Sequence, residues 1–380
     1  MKSDRAIRLL ASLAMTLIAV PSVKAEIVVG VNLSLTGPAA ALGTSFQRGL
    51  EYAPKTIGGE SVRYIVLDDG TDPSAAVRNV RKLATDEHAD IIFGPTNAPA
   101  GYAIAPVLGE LKVPLLSATP IDLSGDKAAW FGTTLMSNRT FVSASVKDMV
   151  KHGYKRIAYI GYSDTYGDQI YGELMNLAKE NGLEVVTNER FARSDTSVTG
   201  QVLKIVAAKP DAVMIGASAS PAALPNNTLL ERNIGKPLYN TPVVVGKDFV
   251  RLVKNPKDVI AATFLISAAR SLPDSNPTKP ISVALIDKFE KVYGPGSADG
   301  QVGEAFDAGI VLTHIATEAL KVSKPGSQAF REALLSELYK TKDLPGTLGI
   351  YTFDKGTPWG LDERSVILLT LENGEWKLKN

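Results

Sequence analysis

Apolar positions along this chain follow two alternating periods. Short runs rich in valine, isoleucine and leucine, at Ile27–Leu33, Val62–Leu67, Ala89–Phe93 and Pro114–Ser117, read as strands. Between them lie stretches with apolar residues every three or four positions, which read as helices over Ser45–Pro54 and Ala103–Leu111. A further helix opens at Asp72-Pro73, where aspartate is a good N-cap and proline is pre-organised for the first helical position. Its apolar residues Ala76, Val77, Val80, Leu83 and Ala84 keep the helical spacing. Strand and helix alternating in this way predict a parallel sheet with helices on both faces.

The alternation then restarts. Helices are predicted over Thr140–His152, Gly167–Asn181, Val198–Ala208 and Ala222–Asn233, interleaved with strands Arg156–Gly161, Glu184–Thr187, Ala212–Gly216 and Val243–Val245. A strand at Thr263–Ser267 precedes the proline-rich loop Leu272–Pro280. Helices over Ile281–Tyr293, Gly303–Val322 and Gln328–Tyr339 follow. A hairpin of Ser365–Leu371 with Trp376–Leu378 around Asn373-Gly374 closes the chain. The predicted fold class is therefore α/β: two doubly wound parallel-sheet units plus a closing segment. The length of 380 residues suits two such units better than one.

The first 25 residues depart from this pattern. Lys2, Arg5 and Arg8 precede the apolar run Leu9–Val20, and Pro21 and Val23-Lys24-Ala25 follow it. A basic start, a short apolar run and modest side chains before the junction predict a secretory signal peptide cleaved after Ala25. As a helix the run reaches about 18 Å, short of a hydrocarbon core of about 30 Å. The remainder is expected to be soluble and periplasmic.

Charge and cysteine content narrow the chemistry. The 41 basic and 40 acidic residues leave +1; loss of Lys2, Arg5, Arg8, Lys24 and Asp4 with the leader moves this to −2. Neither value suits a nucleic-acid protein, which normally carries a strong basic surplus. The absence of cysteine excludes disulfides, thiolate metal sites, iron–sulfur clusters and a lipid-modified cysteine anchor. The histidines His88, His152 and His314 are scattered on predicted helices, so packing or surface roles are expected of them. No HExxH, P-loop or glycine fingerprint occurs. Gly216-Ala217-Ser218-Ala219-Ser220 lacks the second glycine of a nucleophile elbow. Asp68-Asp69-Gly70-Thr71-Asp72 reads as a strand-end turn with a helix cap rather than a calcium loop, which needs a longer ligand series. No catalytic set and no cofactor or metal site is predicted.

The turns after the strands say more. In open α/β sheets, ligands gather at the carboxyl ends of strands. Here those turns are Ser34–Gly43, Gly94–Gly101 and Ser117–Asp122, small, rich in hydroxyls and nearly uncharged. Free backbone N–H groups and hydroxyls at helix starts suit a carboxylate.

The run SLTGPAAALG, then LDDGTDPSAAVRNVRKL, then IIFGPTNAPAGYAIAPVLGELKVPLLSATP closely resembles the leucine/isoleucine/valine-binding protein family, type I solute-binding proteins of ABC importers. IAYIGYSDTYGDQIYGEL resembles the same family's second-domain entry. The resemblance implies two α/β lobes joined by three crossovers, closing on a ligand. It assigns 26–137 and 268–347 to lobe 1, and 138–267 and 348–380 to lobe 2. It also carries ligand positions across. The aromatic residue of the first loop falls on Leu42. The serine loop falls on Asn97, Ala98 and Pro99, and the loop that holds α-amino and carboxylate groups on Thr119, Pro120 and Ile121. In the second lobe the closing tyrosine falls on Tyr166, an aromatic position near Ser218, the ammonium-pairing acid on Asp248, and a lobe-crossing contact near Gln301.

The implied ligand is a small apolar carboxylate. Asp248 favours a hydrophobic amino acid, whereas the altered serine loop, Pro120 and Lys247 favour an acid without an ammonium. Loss of aromatic walls at Leu42 and Ser218 favours benzoate- or phenylpropanoid-type compounds. Asp248 reads equally well as a cap for the helix near Phe249. The implied partners are ABC permease subunits, with a monomeric receptor as the working form. A signalling subunit of the same fold is the alternative role.

Overall fold

The computed structural model describes residues 26–379 apart from 124–128, 255, 257 and 356; the leader and its junction at Ala25 lie outside the described residues. The first sheet contains six strands: β1 (Glu26–Leu33), β2 (Thr56–Ile57), β3 (Glu60–Asp68), β4 (Ile91–Phe93), β5 (Leu115–Ser117) and β6 (Phe131–Thr133). Their order across the sheet is β2-β3-β1-β4-β5-β6, parallel except for the edge pair β2·β3. Helices α1 (Ala40–Leu50), α2 (Pro73–Thr85) and α3 (Ala98–Leu111) connect them. The strand β1 is buried along almost its whole length because both its faces are covered. One face packs Val28 against Ala76, Val80 and Leu83 of α2. The other packs Ile27, Val29 and Val31 with Phe46 and Leu50 of α1. Full burial of each such aliphatic side chain contributes about 1.5–3 kcal/mol.

The second sheet follows α4 (Asn138–Lys151). Its parallel strands β7 (Arg156–Tyr162), β8 (Glu184–Phe191), β9 (Ala212–Gly216), β10 (Leu238–Asn240) and β11 (Val259–Phe264) alternate with α5 (Thr165–Asn181), α6 (Thr199–Ala208), α7 (Ala223–Glu231) and α8 (Lys247–Leu252). Three helices then return to the first lobe: α9 (Lys279–Tyr293), α10 (Gly300–Ala319) and α11 (Gln328–Lys340). The approach of α1 to α10 is close enough that a Cβ on Gly49 would lie 2.6 Å from the Val302 carbonyl oxygen. A two-stranded ribbon, β12 (Leu344–Pro345) and β13 (Ile350–Tyr351), precedes the terminal hairpin β14 (Val366–Glu372) and β15 (Glu375–Leu378). That hairpin extends the second sheet antiparallel to β11, giving the order β15-β14-β11-β10-β9-β7-β8.

The chain crosses between the lobes three times, after β6, after β11 and before β14. The first and third crossings run side by side. Thr133 N–H donates to Pro358 O at 2.9 Å, and Gly360 N–H to Thr133 O at 3.0 Å. Beneath them Asp307 of α10, fully buried, accepts from Thr347 N (2.7 Å), Leu348 N (2.8 Å) and Tyr351 Oη (2.7 Å).

Two sequence expectations fail locally. The strand expected at Val243–Val245 is a 3-10 turn at Pro242–Val244, and the strand lies earlier, at Leu238–Asn240. Pro242 has no N–H to give a ladder and its fixed φ starts a turn. The strand expected at Thr263–Ser267 ends at Phe264, and Leu265–Ser271 turns into 3-10 conformation to begin the crossing. The strands β2 and β6 were not anticipated; two or three residues carry too little periodicity to register.

Candidate functional site

Each sheet has one place where neighbouring strands send their chains in opposite directions. In the first sheet it lies between β1, which leads through α1 to β3, and β4, which leads through α3 to β5. In the second it lies between β7 and β9. Such switch points leave a crevice at the carboxyl ends of the strands. The two crevices face each other here.

The first-lobe crevice is built by a buried polar chain. Asp69 accepts from Asn32 Nδ2 (2.8 Å), Ser34 Oγ (2.7 Å) and Thr71 N (2.8 Å). Ser34 Oγ in turn accepts from Asn97 Nδ2 at 2.8 Å. Asn97 caps α3, its Oδ1 accepting from Ala100 N at 3.0 Å. Gly94 makes the strand-end turn possible: its φ is +93°, and a Cβ there would lie 2.1 Å from the Asn32 carbonyl. Asp69 is thereby spent inside the lobe and is an anchor, not a ligand group. The next loop is fixed by Ser117, whose Oγ accepts from Thr119 N (3.2 Å) and donates to Thr119 O (2.7 Å).

The second-lobe crevice is aromatic and carries one cation. Tyr162, at the end of β7, donates to Ser218 O at 2.6 Å and accepts from Ser218 N at 3.1 Å. Asp164 caps α5 through Oδ1, which accepts from Tyr166 N (3.0 Å) and Gly167 N (3.2 Å). Its Oδ2 accepts from Arg193 Nε at 2.7 Å. The Arg193 guanidinium carbon sits 3.9 Å from the Tyr162 ring centroid, a cation–π stack. Only 13% of the Arg193 side chain is exposed. Burial pushes the Tyr162 and Tyr166 phenols up, so both remain neutral hydrogen-bonding groups.

Between the lobes lies a cavity with about 40 Å³ of room for the centre of a water-sized sphere. Leu42, Thr96, Asn97, Ala98, Ala118, Thr119 and Pro120 line it from the first lobe. Tyr166, Arg193, Ser218, Pro242 and Val243 line it from the second. Leu135, Phe141, Phe264 and Gln301 close it near the crossings, Phe141 and Phe264 meeting edge-on at 5.2 Å. The wall is mostly apolar. Arg193 is the one charged side chain lining it among the described residues. At and within α10, burial pushes the carboxyls of Asp299, Glu304 and Asp307 up, and none of the three lines the cavity.

Of the residues expected from the sequence, Leu42, Asn97, Ala98, Thr119, Pro120, Tyr166, Ser218 and Gln301 meet around this cavity. Three do not. Pro99 occupies the first turn of α3, outside the lining. Ile121 is fully buried in the first-lobe core, with its side chain against Gly101. Asp248 is exposed on α8 and pairs with Arg251 at 3.3 Å, beside an outer depression that also includes Lys247 and Arg48. This places Asp248 as an acid in the first turn of α8, outside the lining of the cavity. Arg193, Phe141 and Phe264 were missed. Arg193 stands two residues past β8, at a strand's carboxyl end, which is the signal that marks it.

Residues 26–368 match the family described as periplasmic binding protein. The chain belongs to that family. This periplasmic binding protein resembles a Leu/Ile/Val-binding protein of Rhizobium johnstonii, with 25% identity over 97% of both chains. It also resembles the crystal structure of an extracellular ligand-binding receptor from Rhodopseudomonas palustris HaA2. That likeness has a TM-score of 0.91 and 40% identity, over 93% of this chain and 100% of that one. An ABC-transporter solute-binding protein from R. palustris, solved with 4-hydroxybenzoate, shares the fold at a TM-score of 0.79 and 20% identity, over 93% and 96% of the two chains. The resemblance to the Leu/Ile/Val-binding proteins and the two-lobed fold class both hold, and members of this family are solute-binding proteins rather than enzymes.

Proposed function

We propose that this periplasmic binding protein captures an apolar monocarboxylate without an ammonium group, an aromatic acid first of all, between its lobes. The loaded form is then presented to the permease of an ABC importer. The leader at residues 1–25 sends it to the periplasm under this reading, and the anion is read inside the cleft rather than by net charge.

One observation carries the ligand class. The cavity is lined by a single guanidinium, at Arg193, and by no Asp or Glu among the described residues. An α-amino acid needs a partner for its ammonium, and a buried unpaired ammonium costs several kcal/mol. A plain carboxylate needs only cations and N–H or O–H donors. Arg193 offers the edge not occupied by Asp164, and charge-assisted pairing of guanidinium with carboxylate is among the stronger hydrogen-bonding arrangements. The Thr119 hydroxyl, the Ala98 N–H at the start of α3 and Ser218 supply further polar contacts. Phe141, Phe264, Tyr166 and Leu42 supply the apolar walls that a ring requires.

A thermal-shift screen tests the reading. Benzoate, 4-hydroxybenzoate and phenylpropanoid acids are compared with leucine, isoleucine and phenylalanine at equal concentration. Ligand at 100 times its Kd stabilises the folded state by about 2.7 kcal/mol, which moves a melt by several degrees. The aromatic acids are expected to shift the melt. A shift by the amino acids alone overturns the proposed ligand class.

A further inference from the structure

We propose that Gln169 is a positioning residue: it latches the two lobes together and ties closure to the ligand-facing loop Thr119–Asp122. The inference rests on the reading of the cleft as a ligand site that opens and closes.

Gln169 lies on α5 of the second lobe, one turn beyond Tyr166. Residues three apart on a helix share a face, so the residue that lines the cavity and the residue beside it point the same way. Gln169 Nε2 donates to the hydroxyl of Tyr102, which belongs to α3 of the first lobe. That hydroxyl is engaged on both sides, accepting from Asp122 N at 2.9 Å and donating to Asp122 O at 3.3 Å. The other end of the amide is also used. Asn138 Nδ2 donates to Gln169 Oε1 at 3.3 Å and reaches Pro120 O at 3.5 Å. The ring is closed: Pro120–Asp122, Tyr102, Gln169, Asn138 and back to Pro120.

Its two ends coincide with the ligand's two walls. Thr119 and Pro120 line the cavity from the first lobe, and Tyr166 on α5 lines it from the second. A ligand bridging these walls fixes the same two segments that Gln169 joins. When the lobes part, the Tyr102–Gln169 bond is exchanged for water. Its strength therefore counts only toward the closed state and adds to affinity without any ligand contact. A net worth typical of one to two neutral hydrogen bonds corresponds to roughly five- to thirty-fold in the closing equilibrium.

The test uses the full chain with reporters at Lys82→Cys and Lys179→Cys, one exposed helix position in each lobe, in a sequence free of other cysteines. Inter-lobe distance distributions are recorded without ligand and with benzoate, 4-hydroxybenzoate or leucine. Gln169→Ala and Tyr102→Phe are each expected to lower the closed fraction by roughly five- to thirty-fold in its equilibrium constant. The double variant should close no worse than either single, because both remove the same Tyr102–Gln169 bond between the lobes; the Tyr102–Asp122 bonds stay within the first lobe and the Asn138–Gln169 bond joins α4 to α5. Gln169→Met, which keeps the length but can neither donate to nor accept well from Tyr102, should behave like Tyr102→Phe. The ligand-free melting temperature should stay within a few degrees, so that loss of closure is not loss of fold. Additive single effects, an unchanged closed fraction, or a wild-type chain with no closed population under any condition would overturn the latch. Closure driven by leucine alone refutes the proposed ligand class while leaving the latch readable.

Discussion

Arg193 and Asp164 form a partly buried ion pair at 2.7 Å in which the same carboxylate caps helix α5 with its other oxygen. Helix start and cleft cation are thus built as one piece. Because Nε is held by Asp164 and the guanidinium plane lies on Tyr162, Arg193 meets a ligand with little rotamer freedom left to lose.

Loss of that cation should abolish high-affinity binding. Arg193→Met keeps the apolar stem and removes the charge, leaving a bound carboxylate without a counter-ion. A loss of about 100-fold or more is expected, on the scale of a buried charge-assisted pair. Arg193→Lys should recover part of it, since a lysine supplies charge without the planar fork. Isothermal titration with whichever acid shifts the melt gives the numbers. Binding by Arg193→Met within three-fold of wild type would remove Arg193 from the site.

Asp248→Asn separates the two ligand classes from the other side. The side chain is exposed and already paired with Arg251, and it does not line the cavity. Affinity is expected to change by less than about two-fold, the scale of an exposed ion pair. A ten-fold loss would restore Asp248 as an ammonium partner and favour an amino acid.

The contrast between these residues shows what the chain reveals unaided. The strand-end loops announce themselves through composition: Gly94–Gly101 and Ser117–Asp122 are small and hydroxyl-rich because backbone and helix N-termini must come close to a ligand there. Within those loops, though, Ile121 and Thr119 look alike until packing separates them, one into the core and one into the cavity. Asp248 reads from the sequence both as an ammonium partner and as an acid near a helix start, and only packing puts it on the exposed start of α8. Arg193, Phe141 and Phe264 belong to three elements far apart in sequence, and their meeting depends on how three crossings dock one lobe on the other. No local period encodes that. The misplaced strand at Val243–Val245 has the same origin, since Leu238–Asn240 is recognisable as a strand mainly through its pairing with β9 and β11.

Leu42 should govern ligand length. It is shared, with Val243 and Gln301, by the cavity and the outer depression of about 450 Å³. Leu42→Ala removes part of the partition and joins the two spaces. Benzoate should bind about three- to ten-fold more weakly through lost packing, whereas acids with a longer spacer should lose less or gain. Competition titrations of the two acid classes on both proteins decide it, and an equal loss for both would mean that Leu42 packs without selecting.

Asp307 sets a pH dependence of stability that is separable from binding. Burial pushes its carboxyl up to about 6 from an ordinary value of 3.8, against the lowering effect of the Leu348 and Thr347 amides and the Tyr351 hydroxyl. Between those values the folded chain holds a proton that the unfolded chain has released. The stabilising effect of that proton is therefore complete below about pH 4 and is lost as pH rises through about 6. At most this is about 3 kcal/mol, since each pH interval of one is worth 1.36 kcal/mol, and roughly 1–3 kcal/mol is the working range. Asp90, also raised to about 6 mainly by burial, titrates in the same window, so absolute stability curves mix the two. The difference between wild type and Asp307→Asn isolates one of them. An asparagine does not titrate, still offers one acceptor to the 347–348 amides, and can donate to Tyr351 Oη. Urea unfolding at pH 4.5 and pH 7.5 should show wild type losing roughly 1–3 kcal/mol relative to Asp307→Asn across the interval. Parallel curves would mean that Asp307 is ionised in the fold at both pH values, its three donors outweighing burial.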